Sequence, residues 1–157
     1  MTKREGEPAP DFTMTASGGR TVSLQALRGR PFVLYFYPRA DTPGCTRQAC
    51  AFQEALPQLG ALGIEVIGVS KDKLKPIEKF AEKYGLKFPL ASDDSGVAEA
   101  YGTWVEKSMY GKKYMGMERT TFLVDGEGRI ARVWPKVKVE GHAAEVMQAV
   151  GAMRSSR

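Results

Sequence analysis

The sequence predicts an α/β protein in which helices flank a central mixed β-sheet. Apolar, β-rich runs alternate with amphipathic stretches in the middle of the chain, and two further β-rich runs near its end flank a glycine-rich turn. The chain has 157 residues, of which 43% are hydrophobic and 26% are charged. Because this is ordinary for a globular protein, and no repeat or linker interrupts the chain, we expect a single domain over residues 1–157.

The first half of the chain supplies a hairpin, two strands and a helix. A continuous run of β-forming apolar residues around Tyr35 indicates a buried strand, and apolar residues at helical spacing, such as Ala49 and Phe52, indicate the helix after it. Pro57 is expected to kink that helix or to end a regular segment of it. In order, the predicted elements are a hairpin over 11–24, a strand over 31–37, a helix over 45–62 and a strand over 65–70.

The second half continues the alternation and then changes to a hairpin. A helix is expected from about Pro76, which suits a first helical turn, to about Gly85. The elements predicted after it are a short strand over 88–91, a helical turn over 96–101, hairpin strands over 120–125 and 129–134, and a helix over 142–153. This order matches a thioredoxin-like fold with an extra N-terminal β-hairpin. In that fold, the active cysteine follows the first strand of the parallel β-α-β unit.

The charge and the ends of the chain suggest a cytoplasmic protein without a nucleic-acid or membrane partner. The net charge is +5, but the lysine-rich stretch over 71–87 alternates with acidic residues, which is typical of a solvated helix face. No nucleic-acid-binding motif accompanies it. The N-terminus lacks the apolar run of a signal peptide, and no apolar stretch is long enough to cross a bilayer.

Cys45 is the best candidate for a reactive residue. It stands where the apolar strand meets the helix, and a thiol at a helix N-terminus faces unpaired N–H groups and the positive end of the helix dipole. Both favour the reactive thiolate. Gly44 leaves room beside the thiol, Pro43 stiffens the loop, and Thr42 supplies a hydroxyl. We therefore expect an accessible, ionised sulfur, although burial as a small hydrophobic residue is the common fate of a free cysteine.

The second and last cysteine, Cys50, follows five positions later. On an ideal helix this spacing places the two Cα atoms about 8.7 Å apart. A disulfide requires less than about 7 Å. The two thiols can therefore react with each other only if the first turns of the helix unwind. The alternative is that Cys50 is a core residue beside Ala49 and Phe52.

The sequence offers few other groups to activate the thiol. Two cysteines and one histidine do not form a structural zinc site, and we expect no metal or other cofactor. His142 could serve as a base, but near the start of the last helix it is more typical of a capping or solvent-exposed residue. Arg119 precedes a strand that neighbours the cysteine-bearing strand in a thioredoxin-like sheet, and Arg39 and Arg47 compete for the same role.

Two motifs resemble the active-site sequence of peroxiredoxins, and specifically of the PrxQ group, also called bacterioferritin comigratory proteins. They are Pro38-x-x-x-Thr42-x-x-Cys45 and the longer Thr42-Pro43-Gly44-Cys45-Thr46-x-Gln48-Ala49-Cys50. The similarity extends from about residue 8 to the last helix. It implies a thiol peroxidase with Cys45 as the peroxidatic and Cys50 as the resolving cysteine. It further implies that Thr42 and Arg119 bind the peroxide and that Pro38 shields the sulfur.

The resemblance also implies a catalytic cycle. Cys45 would reduce hydrogen peroxide or an organic hydroperoxide and become a sulfenic acid, Cys50 would condense with it to an intramolecular disulfide, and thioredoxin or a similar dithiol would reduce that disulfide. One PrxQ branch has its resolving cysteine on the following helix, where this chain has none. A monomer is expected. A thioredoxin-type thiol–disulfide oxidoreductase and a non-catalytic basic binding module are the alternatives.

An aromatic and methionine-rich segment precedes Arg119. It contains Trp104, Met109, Tyr110, Tyr114, Met115 and Met117. These side chains are expected either to pack in the core or to form a loop over the active-site cleft, where an apolar rim could admit alkyl peroxides.

Overall fold

The computed structural model describes residues 2–155, with no side-chain description for 154 and 155. Its strands are β1 (Thr13–Ala16), β2 (Arg20–Ser23), β3 (Phe32–Phe36), β4 (Glu65–Ser70), β5 (Leu90–Ser92), β6 (Trp104–Met109), β7 (Lys112–Met117), β8 (Thr120–Val124) and β9 (Ile130–Trp134). Its helices are α1 (Pro43–Ala61), α2 (Leu74–Tyr84), α3 (Val97–Tyr101) and α4 (His142–Ser155). No helix in this part of the chain is long and apolar enough to cross a membrane.

Seven strands form one mixed sheet in the order β2-β1-β5-β4-β3-β8-β9. The central strand β3 pairs in parallel with β4 and antiparallel with β8. Because every residue of β3 is apolar and buried, its alternating side chains enter two cores, one on each face of the sheet. Val33 and Tyr35 pack with α1, α2 and α4, whereas Leu34 and Phe36 pack with α3 and the N-terminal strands.

This architecture confirms the predicted mixed sheet with flanking helices and the N-terminal hairpin. Helix α1 continues through Pro57 rather than ending there. Helix α2 ends as predicted, because Gly85 adopts a left-handed conformation, with φ of 62°, that glycine enters without steric cost.

The segment before Arg119 agrees only in part with the expectation of core packing. It forms a separate antiparallel hairpin, β6–β7, joined through Tyr110 and Gly111. Met117 is buried and Trp104 half-buried, so core packing is correct for the base of the hairpin. It is wrong for Met109, Tyr110, Tyr114 and Met115, which are exposed.

Candidate active site

Side chains of α2 and of the segment after β4 hold the loop between β3 and α1 in place. The Ala40 N–H donates to Asp72 Oδ2 at 2.7 Å. Asp41 accepts from Lys83 Nζ and from the Tyr84 hydroxyl, both at 2.9 Å. Asp41 is one of few non-glycine residues with positive φ, 60°, so these two contacts stabilise a turn that costs backbone energy. The loop therefore delivers Thr42 to the N-cap position of α1 in a fixed geometry.

Cys45 lies in the first turn of α1, three residues after the N-cap. The N–H groups of a first helical turn have no intrahelical acceptor, and they point towards this end of the helix. The residue is only 2% exposed, so the prediction of an accessible sulfur is wrong for this conformation. Cys45 packs in the same core as Tyr35 and Tyr37. The sulfur is therefore shielded from bulk water.

Arg119 is the cation that contacts this sulfur. Its Nη2 donates to Cys45 Sγ at 3.4 Å, and its Nη1 donates to Gln48 Oε1 at 2.7 Å. The position of Arg119 follows from the sheet, because β8 begins one residue later and pairs with β3. Of the competing arginines, Arg47 instead faces Glu140 at 3.6 Å, and Arg39 is exposed.

Gln48 is a site residue that sequence analysis did not assign. It is 2% exposed and one helical turn after Cys45, on the same face of α1, and its carbonyl oxygen holds the Arg119 guanidinium. The available signal was its spacing of three residues from Cys45. Gly44 completes the arrangement, because a Cβ added there would lie 3.2 Å from Arg119 Nη2. A larger residue at position 44 would therefore require the guanidinium to shift by a few tenths of an ångström.

The other predicted site residues stand at the same loop but make other contacts. The Thr42 hydroxyl donates to the Arg39 carbonyl at 3.0 Å, and it has no hydrogen bond to Cys45 in the described part of the chain. Pro38 is exposed at the start of the loop. Cys45 and Cys50 are both free, and α1 is regular between them. The roles of Thr42, Pro38 and Cys50 remain predictions.

Two tyrosine hydroxyls are buried close to the site. The hydroxyl oxygens of Tyr35 and Tyr37 are inaccessible and lack a hydrogen-bond partner among the described residues. Burial raises the pKa of both hydroxyls well above its ordinary value, so both stay protonated at neutral pH. The rings of Tyr35 and Phe52 stack, with centroids 4.9 Å apart.

The expectation of a solvent-exposed His142 is wrong. This side chain is 2% exposed, its Nε2 lies 2.8 Å from Thr121 Oγ1, and its Nδ1 lies 3.4 Å from Glu145 Oε1. Burial lowers the pKa of the imidazole, despite an opposing effect of Glu145. Both ring nitrogens therefore have partners other than Cys45, and the geometry does not support a cysteine–histidine hydrolase.

Fold and site together define a class: a thioredoxin-fold protein built around one cysteine at a helix N-terminus, in contact with an arginine. Comparison with known proteins identifies the family. A family model described as the AhpC/TSA family matches residues 6–133. A putative peroxiredoxin bcp of Coxiella burnetii is 51% identical over 148 residues, which are 94% of this chain and 98% of that protein. Peroxiredoxin Bcp of Bacillus subtilis is 45% identical over 98% of both chains.

Solved structures agree with this result. Bacterioferritin comigratory protein of Xanthomonas campestris superimposes with a TM-score of 0.88 at 38% identity over 98% of both chains. A PrxQ mutant of Xylella fastidiosa gives a TM-score of 0.91 at 33% identity, again over 98% of both chains. The chain belongs to the AhpC/TSA family and is a peroxiredoxin of the PrxQ/Bcp group. The predicted class of enzyme, a thiol-dependent peroxidase, is thereby confirmed.

Proposed function

We propose that Cys45 is the peroxidatic cysteine and Cys50 the resolving cysteine of this peroxidase. The observation that best supports the proposal is the contact of 3.4 Å between Arg119 Nη2 and Cys45 Sγ at the start of α1. Positive charge and helix N–H groups beside a sulfur favour its nucleophilic form. Cys50 is the second of the two cysteines among the 157 residues of this sequence, which makes it the candidate for the resolving thiol.

In the first step, the Cys45 thiolate attacks the terminal oxygen of a peroxide. An S–O bond forms, the O–O bond breaks, and the departing oxygen takes a proton and leaves as water or an alcohol. Sulfur is oxidised to a sulfenic acid. The Arg119 guanidinium, which Gln48 orients, stabilises the charge that moves onto the departing oxygen. The Thr42 hydroxyl is the second group proposed to hold the peroxide, after it exchanges its bond to the Arg39 carbonyl.

In the second step, the Cys50 sulfur attacks the Cys45 sulfur, and the sulfenic oxygen leaves as water. Both cysteines lie on the regular helix α1, and a spacing of five residues leaves their Cα atoms about 8.7 Å apart in such a helix. The first turns of α1 must therefore unwind before the disulfide forms. The same unwinding exposes the disulfide to its reductant.

We propose thioredoxin or a similar dithiol as that reductant, and hydrogen peroxide and organic hydroperoxides as oxidising substrates. The Xanthomonas campestris relative is described with alkyl peroxide reduction activity, which supports organic hydroperoxides here. We further propose that the protein acts as a monomeric single domain in the cytoplasm. No step of the cycle requires a metal or organic cofactor, because sulfur supplies the redox chemistry.

The test separates the two thiols. With peroxide, thioredoxin, thioredoxin reductase and NADPH, we expect Cys45→Ser to consume no peroxide above background. We expect Cys50→Ser to complete one turnover and then to accumulate a sulfenic acid or a mixed disulfide, visible by mass spectrometry after one equivalent of peroxide. If Cys45→Ser retains the parent rate, the assignment of Cys45 is wrong. Sustained turnover by Cys50→Ser would show that resolution does not need this cysteine.

The thioredoxin-type oxidoreductase is the alternative that shares this fold. Its reaction is disulfide reduction without peroxide, so the parent protein should reduce insulin under the same conditions if that alternative is correct. The spacing of five residues between the cysteines, on one intact helix, favours the peroxidase instead.

A further inference from the structure

The exposed end of the β6–β7 hairpin stands apart from the rest of the surface. We define the hairpin tip as residues 108–115, all of which are exposed. Four exposed large hydrophobic side chains are found in the described part of the chain, and all four belong to the tip: Met109, Tyr110, Tyr114 and Met115. Tyr110 is 98% exposed. Such a concentration of apolar surface on a soluble domain marks an interaction site.

The turn of the hairpin has an aromatic residue where backbone geometry disfavours one. Tyr110 and Gly111 both have positive φ, 52° and 76°, as in a two-residue turn that favours Asn-Gly. A tyrosine in this region has a steric cost that asparagine or glycine would avoid. Because the ring of Tyr110 is almost fully exposed, packing within the chain does not offset this cost. An interaction of the Tyr110 ring with a partner outside the chain would explain why a tyrosine stands at this turn.

The distribution of the side chains indicates the kind of partner. In the strand register Met109 faces Lys112, and Ser108 faces Lys113. Because side chains alternate along a strand, Met109 and Tyr114 share one face of the hairpin, whereas Met115 lies on the other. Tyr110 lies at the turn between the faces. Exposed apolar side chains thus lie on both faces of the tip and at its turn, and each face also has one lysine. Docking on a protein surface would cover one face, whereas insertion into a surrounding medium would cover both.

The charges of the tip indicate which medium. It contains Lys112 and Lys113 and no acidic residue. Lys113 makes an ion pair with Glu106, at 3.6 Å, between two strongly exposed side chains, which is a weak interaction in water. Tyrosine rings prefer the boundary between lipid headgroups and acyl chains, and lysines near a bilayer are attracted to anionic headgroups. The tip is thus complementary to an anionic lipid surface.

We propose that the hairpin tip docks the protein on anionic lipid bilayers, with Tyr110 and Met109 inserted at the level of the headgroups. Insertion ends at this depth, because the free edges of β6 and β7 have backbone groups that cannot enter hydrocarbon without partners. Contact of this kind is peripheral, and no spanning helix is needed for it. The sequence-based expectation of no membrane partner rests on the lack of a spanning segment and does not address a peripheral contact.

The test measures co-flotation of the reduced full-length protein with phosphatidylcholine vesicles that contain or lack phosphatidylglycerol. We expect binding only to the anionic vesicles. Tyr110→Asn should weaken it about tenfold, as should the double variant Lys112→Glu/Lys113→Glu. The asparagine suits the turn, so a loss of binding in that variant does not arise from a misfolded hairpin. The double variant Lys75→Glu/Lys79→Glu, on exposed lysines of α2, changes the net charge equally and should bind more tightly than the tip double variant.

Four results would overturn the proposal. The first is a parent protein that does not float with anionic vesicles, and the second is an equal loss of binding in the α2 control and the tip variant. The third is equally tight binding to soluble polyglutamate, which would indicate an acidic protein partner. The fourth is tip-dependent dimerisation without lipid in sedimentation velocity, which would assign the tip to a second copy. Hydrogen peroxide consumption by Tyr110→Asn should equal that of the parent, so failure of lipid docking is distinguishable from failure of the proposed catalytic cycle.

Discussion

At the scale of single residues, Gln48 and Arg119 form the least replaceable pair of the site outside the cysteines. A buried amide oxygen accepts from the guanidinium at 2.7 Å, and the other nitrogen of that guanidinium reaches Cys45. The amide nitrogen of Gln48 has no partner among the described residues. The bond to Arg119 is therefore the one side-chain hydrogen bond of this amide among the described residues, and we propose that it positions the arginine.

We predict that Gln48→Leu lowers the rate constant for reaction of the reduced enzyme with peroxide by about ten- to a hundredfold. A hydrogen bond to a charged group contributes about 1.5–3 kcal/mol, and without it the guanidinium can leave the sulfur. Gln48→Glu keeps an acceptor for the guanidinium but adds a carboxylate beside the Cys45–Arg119 contact, and because this charge disfavours the thiolate, its rate should also fall below that of the parent. Stopped-flow measurement of the peroxide reaction provides the comparison. Equal rates for the leucine variant and the parent would remove Gln48 from the site.

The residues of the site differ in how far the sequence determines them. Cys45 was predictable from its place between strand and helix, whereas Arg119 was distinguished from Arg39 and Arg47 only by the resemblance to peroxiredoxins. Strand order explains its position, because the start of β8 lies beside the end of β3. Gln48 was not predictable, since its role depends on a guanidinium 71 positions away. The burial of His142 was likewise not predictable, because its partner Thr121 belongs to strand β8 and no periodic pattern relates this strand to α4.

At the scale of elements, helix α1 positions the Cys45 sulfur in the reduced protein, and in the proposed cycle its first turns must unwind before the disulfide forms. We predict that oxidation to the disulfide accelerates amide hydrogen exchange over residues 45–53, because the first turns of α1 lose their hydrogen bonds. Exchange in β3 and β4, which lie buried in the sheet, should stay unchanged as an internal control. Equal protection of α1 in both redox states would contradict the unwinding step.

The strands β3, β4 and β5 pack without spare volume at Gly68. A Cβ added there would lie 2.7 Å from Leu90 Cδ2 and 2.8 Å from Tyr35 Cζ. We predict that Gly68→Ala destabilises the protein by about 1–3 kcal/mol, the usual cost of an overpacked core. Urea unfolding measures it, with Gly60→Ala on α1, where nothing lies within 4 Å of the added Cβ, as the control. A Gly68→Ala variant as stable as the parent would show that the sheet can relax.

Most elements were predictable from sequence, and the exception has a physical reason. Strand β3 is a continuous apolar run, β8 is a run of β-forming residues, and the helices have apolar stripes or glycine stops, so local patterns determine them. The hairpin β6–β7 lacks these features, because lysines and exposed apolar residues mix on both faces and Tyr110-Gly111 replaces the usual turn pair. A segment adapted to an external partner need not follow the patterns of a segment that packs internally.

At the scale of the whole molecule, His142 joins four elements. It belongs to α4, is hydrogen-bonded to Thr121 of β8, and has edge contacts to Phe52 of α1 and Trp134 of β9, with ring centroids 6.0 and 5.6 Å away. The charged groups that affect it are Glu145 on α4 and Arg119 before β8. We therefore expect its protonation to act on the stability of the whole fold rather than on one element.

Because burial lowers the pKa of His142 below its ordinary value of 6.5, the unfolded chain binds this proton more readily than the folded protein does. The folded state should thus keep its full stability above about pH 6.5 and lose part of it as the pH falls through the folded-state pKa, with a slope of at most about 1.4 kcal/mol per pH unit. His142→Gln should remove this pH-dependent contribution to the free energy of unfolding. The other titrating groups are common to both proteins, so their contributions cancel when the two stability curves are subtracted. Urea unfolding between neutral pH and pH 5 measures both slopes. Parallel stability curves for parent and variant would show that the folded protein accommodates the imidazolium without cost.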